Sequence, residues 1–128
     1  MNQLPFTVER IQPILSVKDM VRTRKFYVDL LGFEEASWGT DDFTAFSRND
    51  SSIYFCQGEQ GCAGTWLWIG FEGDIYSLYA QLKETNIPII LTPVNYSWAL
   101  EMRVQDPDGH ILRLATEPDY NLPFADRE

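Results

Sequence analysis

The chain has 128 residues, 45% of them apolar and 14% aromatic, enough for a real core in a single domain spanning 1–128, and a composition that argues against disorder. Ten Lys and Arg stand against 19 Asp and Glu, a net charge of −9, which argues against nucleic acid or an anionic membrane surface and favours neutral or cationic partners. No apolar run approaches the ~20 residues of a membrane helix. MNQLPFTVER carries no basic segment followed by an apolar run, so a cytoplasmic protein is expected, with Cys56 and Cys62 as reduced thiols.

Residues 1–10 read as a loose arm. IQPILSV (11–17) is a first strand, and Pro13 within it points to an edge or exchanged position. Asp19 caps an expected helix from Met20 to Leu31 with Met20, Tyr27, Leu30 and Leu31 on one side, and Gly32 supplies the left-handed stop. Three short strands follow, 33–38, 43–48 and 52–57, separated by turns at 39–42 and 49–51.

GEQGCAG (58–64) marks a boundary, after which the order returns. TWLWIGF (65–71) is a strand. Asp74 caps a second helix whose Ile75, Leu78, Tyr79 and Leu82 fall at i, i+3, i+4 and i+7. Residues 88–91 form a short strand. In WALEMRVQ, Trp98, Leu100, Met102 and Val104 alternate with Ala99, Glu101, Arg103 and Gln105, the period of a half-buried strand. Asp106-Pro107-Asp108-Gly109 fits a type I turn, and HILRLAT closes the hairpin. The chain is therefore an α+β protein of two tandem βαβββ modules, about 11–57 and 65–117.

The motifs DM…FYVDLLGF (19–33) and DPDGHILRL (106–114), set in this duplication, resemble the vicinal-oxygen-chelate superfamily of glyoxalases, dioxygenases and bleomycin-resistance proteins. PILSVKDM…FYVDLLGF (13–33), DDF (41–43), RND (48–50), WLWI (66–69) and WALEMRVQDPDGH (98–110) are most similar to the bleomycin-resistance proteins, with Ala99 where Gly is usual and FEGD (71–74) longer than their connection. The resemblance implies curved sheets around a cleft, a homodimer and strand exchange at Pro13. Enzymes of the superfamily hold a divalent ion with His, Gln or Glu on the outer strands of each half. Here those places hold Gln12, Phe55, a residue near Trp66, and Arg113, so no metal or other cofactor is expected. His110, the only histidine, reads as solvated or loop-bonding rather than as a ligand, and one histidine there makes a triad improbable.

An apolar cradle with a few placed polar groups is then expected. Its candidate lining is Trp38, Phe43, Phe46, Phe55, Trp66, Trp68, Tyr96 and Trp98, with Asp41, Asp42, Glu101 and Glu34 or Glu35 as an acidic rim, and Arg113 paired with Glu101. Indole rings stack on flat ligands, and an acidic rim suits cationic tails such as bleomycin's. The expected function is metal-free sequestration of a flat, cationic aromatic small molecule. The alternative is a metal-dependent lyase, isomerase or dioxygenase of the same superfamily.

Overall fold

The computed structural model describes residues 4–127. The chain divides into two compact units, one ending at Gly61 and the other starting at Cys62. Each contains a four-stranded mixed sheet and one helix, the expected tandem βαβββ architecture.

In the first unit the strands are β1 (Ile14–Ser16), β2 (Glu34–Glu35), β3 (Phe43–Arg48) and β4 (Ser51–Cys56), in the order β1-β4-β3-β2. β1 is parallel to β4 and the other pairs are antiparallel. β1 is shorter than the sequence suggests. Pro13 has no N–H to give the ladder, although its carbonyl still accepts from Tyr54 N at 3.0 Å. β3 and β4 turn over Asn49-Asp50, with Asn49 at φ +55°.

Helix α1 (Met20–Arg24) starts where Asp19 accepts hydrogen bonds from the amides of Val21 and Arg22 at 3.0 and 3.4 Å. It then widens into a π-helical segment, Lys25–Leu30, in which Leu31 N donates to Phe26 O at 3.1 Å. This corrects the expected inward face. The wider turn rotates the last residues relative to an α-helix, so Phe26 and Tyr27 are buried while Leu30 is exposed. Tyr27 packs against Phe55 and Phe46, ring centroids 4.7 and 6.0 Å away, and these three form the centre of the first core with Leu15 and Met20.

The second unit repeats the plan with β5 (Trp66–Gly70), α2 (Ile75–Lys83), β6 (Ile89–Asn95), β7 (Leu100–Gln105) and β8 (Ile111–Thr116), in the order β5-β8-β7-β6. Asp74 caps α2 by accepting from Tyr76 N at 2.9 Å. Ile75 and Leu82 are buried, as are Leu100, Met102, Val104, Leu112 and Leu114 on one face of β7 and β8. β6 runs to Asn95, past the expected end, and carries two register shifts. As an edge strand it tolerates Pro93.

The β7–β8 turn forms as its residues dictate. Gly109 N donates to Asp106 O at 3.1 Å, Gly109 sits at φ +82°, and the Asp106 carboxylate accepts from the amides of Asp108 and His110 at 2.9 Å each. His110 is buried, and its Nδ1 accepts from Thr65 N at 3.0 Å, tying the start of β5 to β8. No helix among the described residues is long and apolar enough to cross a membrane.

Candidate functional site

Alternation sends Trp66 and Trp68 of β5 to the face of the second sheet opposite its buried aliphatic layer. Arg113 lies beside Trp68 in the parallel register, and Arg103 lies directly across from Arg113 on β7. Glu101 is diagonal to Arg113 on the same face. The indoles are 56% and 52% exposed, whereas Glu101 is fully buried.

These side chains form one bonded cluster. Arg113 makes a fork with Glu101, Nε to Oε2 at 2.9 Å and Nη2 to Oε1 at 2.7 Å. Arg103 Nε reaches Oε2 at 3.4 Å. The Arg113 guanidinium carbon lies 4.8 Å from the ring centre of Trp68, and that of Arg103 5.5 Å from Trp66. Each arginine thus lies over the face of an indole within cation–π range. The hydrogen bonds from Arg113, with help from Arg103, hold the Glu101 carboxyl below the usual carboxylate range against the opposing effect of burial. The same bonds raise Arg113 further, so both groups are charged at neutral pH.

The other expected site residues fall into three groups. In the first unit, Trp38 is exposed and stacks near Phe43 (6.2 Å), and both rings approach Tyr54 (6.0 and 5.5 Å) on the sheet face away from α1. Trp98 is exposed and lies parallel to Tyr96 at 4.6 Å, in a loop closed by Tyr96 N to Ala99 O and strapped by Asp126, which accepts from Ser97 N and Oγ at 2.7 and 2.6 Å. Phe46 and Phe55 are both fully buried on the helix side of the first sheet, where Tyr27 covers them, and do not share a face with the exposed rings.

Of the acidic rim, Asp42 and Glu34 are exposed, while Glu35 and Asp41 are both bonded to Arg24, at 2.8 and 2.6 Å. Burial pushes the Glu35 carboxyl up, but the bonds from Arg24 and Thr44 outweigh it and leave it lowered. A hollow of about 430 Å³ at the N-terminus of α2, bounded by Phe71, Glu72, Tyr76, Leu100 and Glu117, includes none of the expected site residues.

Sequence reasoning passed over Arg103 and Tyr54. The signal for both was alternation: Arg103 shares its face with Glu101, and in SSIYFC the phenol of Tyr54 stands opposite in parity to Ile53 and Phe55.

The donor set does not fit a divalent ion. At the positions where the resemblance places metal ligands, Phe55 is core, Trp66 offers an indole and Arg113 a cation, which leaves Gln12. Glu101, the nearest carboxylate to Arg113 on its face, has both oxygens taken by arginine, and two guanidinium groups repel a cation approaching it.

Solved structures share this fold. The antibiotic-binding protein TnmS3 of a Streptomyces species superposes with a TM-score of 0.77 at 19% identity, over 89% of this chain and 99% of its own. A virulence protein of Salmonella typhimurium gives 0.73 at 20% identity, over 88% and 99%. Lactoylglutathione lyase of Agrobacterium tumefaciens gives 0.68 at 13% identity, over 85% and 94%. No curated protein sequence matches. The family model of the Glyoxalase/Bleomycin resistance protein/Dioxygenase superfamily matches residues 7–114, and the chain belongs to that superfamily.

Proposed function

We propose that this protein is a metal-free binder that sequesters a flat aromatic small molecule without changing it, in the manner of the bleomycin-resistance proteins. The observation that carries the reading is the exposed indole pair Trp66 and Trp68, each backed by a guanidinium group that a single buried carboxylate holds in place. An exposed apolar surface of large rings, fixed in orientation from below, is costly in water unless something covers it. Trp98 and the Trp38–Phe43 pair offer further stacking surfaces. The antibiotic-binding activity named for TnmS3 supports the reading by fold likeness.

The expected cationic tail of the ligand is drawn by the chain's net charge of −9 and by exposed carboxylates such as Asp42, not by Glu101, which is committed to arginine. The protein acts as a homodimer in the cytoplasm. Exposed Leu4, Phe6, Val8 and Ile11, on a segment without secondary structure of its own, support a partner for that arm, and the free thiols of Cys56 and Cys62 support a reducing compartment.

Titration with bleomycin at low salt is expected to quench tryptophan fluorescence, saturating near one ligand per chain. A flat titration up to millimolar ligand overturns bleomycin as the ligand. The competing enzyme reading, a metal-dependent lyase, isomerase or dioxygenase, requires stoichiometric Zn, Ni, Mn or Fe in protein purified without chelator, and finding one would displace the binding role.

A further inference from the structure

Resting on the binding reading, we infer that the Trp66–Trp68–Arg103–Arg113 face recognises planar aromatic anions, the ring stacking on indole and the anionic oxygens taking the unfilled N–H groups of the two arginines.

Three observations on this face lead there. The first is the charge of the cluster: two guanidinium groups stand against one carboxylate, so one positive charge is in excess. The second is the supply of donors. A guanidinium has five N–H groups. Arg113 spends Nε and Nη2 on Glu101, and Arg103 spends Nε, which leaves Nη1 of Arg113 and both Nη atoms of Arg103 without a hydrogen bond among the described residues. The third is register. Arg103 and Arg113 are directly opposite each other on neighbouring antiparallel strands, where like charges repel. A ligand oxygen between them relieves that repulsion, and a ligand cation adds to it.

The overall charge of −9 does not reverse this preference at contact range. Exposed charges more than about 8–10 Å away are largely screened at physiological ionic strength. A charge-assisted bond to a guanidinium held over a ring keeps most of its strength. The face therefore selects the anionic edge of an aromatic ligand, and any cationic tail must point off it.

Calorimetric titration with 2-naphthoate and with 2-naphthylmethylammonium, the same ring with opposite charge, separates the possibilities, with the indole N–H signals in proton–nitrogen correlation spectra as the site-specific readout. The expected result is that naphthoate binds at least about tenfold tighter than the ammonium compound. It should shift the indole signals that disappear in Trp66→Phe and Trp68→Phe, and Arg103→Gln should bring the two affinities to within about threefold while the Glu101–Arg113 fork stays intact. The Arg103→Lys variant, which keeps the charge, should retain part of the preference. If both compounds bind equally, or the ammonium compound binds tighter, the anion preference is wrong and the aromatic-binding reading stands. If neither binds, the binding reading itself falls. If naphthoate binds tighter but Arg103→Gln leaves the ratio unchanged, the assignment to this face is overturned.

Discussion

Replacing Glu101 with Gln tests whether one buried carboxylate organises the exposed face. Glutamine keeps the volume and one acceptor oxygen, but it turns the other into an N–H group facing a guanidinium donor. The fork from Arg113, at 2.9 and 2.7 Å, therefore loses one of its two bonds, and the 3.4 Å contact from Arg103 weakens. A hydrogen bond to a charged group contributes about 1.5–3 kcal/mol, and breaking a fully buried pair costs about 3–5 kcal/mol. The upper range does not apply, because the Arg113 side chain is 29% exposed and water re-solvates part of what it loses. The expected destabilisation of Glu101→Gln is about 2 kcal/mol, or a drop in melting temperature of about 6–8 °C for a chain of this size. Urea and thermal unfolding followed by circular dichroism measure it. The pH dependence gives a second, independent reading. Glu101 is held below its ordinary pKa, so its contribution is fully present above the unfolded value of about 4.3 and is lost as pH falls through the lower folded value. The stability gap between wild type and Glu101→Gln should be full at neutral pH and close on acidification below about pH 4. A melting temperature unchanged within about 1 °C, or a gap that stays constant into acid, refutes the claim that this carboxylate anchors the face.

Two further perturbations test the packing described above. Phe55→Ala should destabilise the protein by about 3–5 kcal/mol, because the ring is fully buried against Tyr27 and Phe46. A loss under about 1 kcal/mol in urea unfolding would return Phe55 to a surface role. Gly61 and Gly64 both sit at positive φ, +81° and +77°, and so share the left-handed cost of about 1–2 kcal/mol on substitution by alanine. A Cβ on Gly61 would also lie 2.6 Å from the Ile14 carbonyl oxygen, whereas one on Gly64 meets nothing within 4 Å. Gly61→Ala should therefore lower the melting temperature clearly more than Gly64→Ala, and equal effects would contradict the close approach of the 58–64 turn to β1.

The parts of the fold that were legible in the sequence are those where one residue type has one physical use. Asp19 and Asp74 precede helices and cap them, and Asp106-Pro107-Asp108-Gly109 makes its turn. Alternation in LEMRVQ placed Leu100, Met102 and Val104 inward and Glu101 and Arg103 on the other face, and the hairpin register brought Glu101 within reach of Arg113. Where several residues of one chemistry compete, sequence alone failed. In SSIYFC two adjacent aromatics point to opposite faces, so that Phe55 is buried under Tyr27 while Tyr54 lies beside Phe43, and composition alone does not tell them apart. The π-helical turn has no marker in KFYVDL, since neither Gly nor Pro interrupts it, so Leu30 was placed on the wrong side. In the tail after Thr116, the Asn95 side chain bonds the backbone at Asp119 and Pro123, and Asp126 straps Ser97. Those contacts join residues 24 or more positions apart, which no local pattern reports.

The pair Arg103 and Arg113 is hard to explain by folding alone. Directly opposed like charges on neighbouring strands are unfavourable. Glu101 neutralises one of them and the indole faces of Trp66 and Trp68 ease both, but one charge remains uncompensated in the cluster. On this face a metal cation would meet repulsion where an anionic oxygen would meet three unfilled guanidinium nitrogens. On the last strand, where the resemblance places a metal-binding carboxylate, this chain has Arg113, and the carboxylate that bonds it, Glu101, lies one strand over. With the buried carboxylate held by two guanidinium groups, the charge left over on this face is positive, while the βαβββ architecture around it is unchanged.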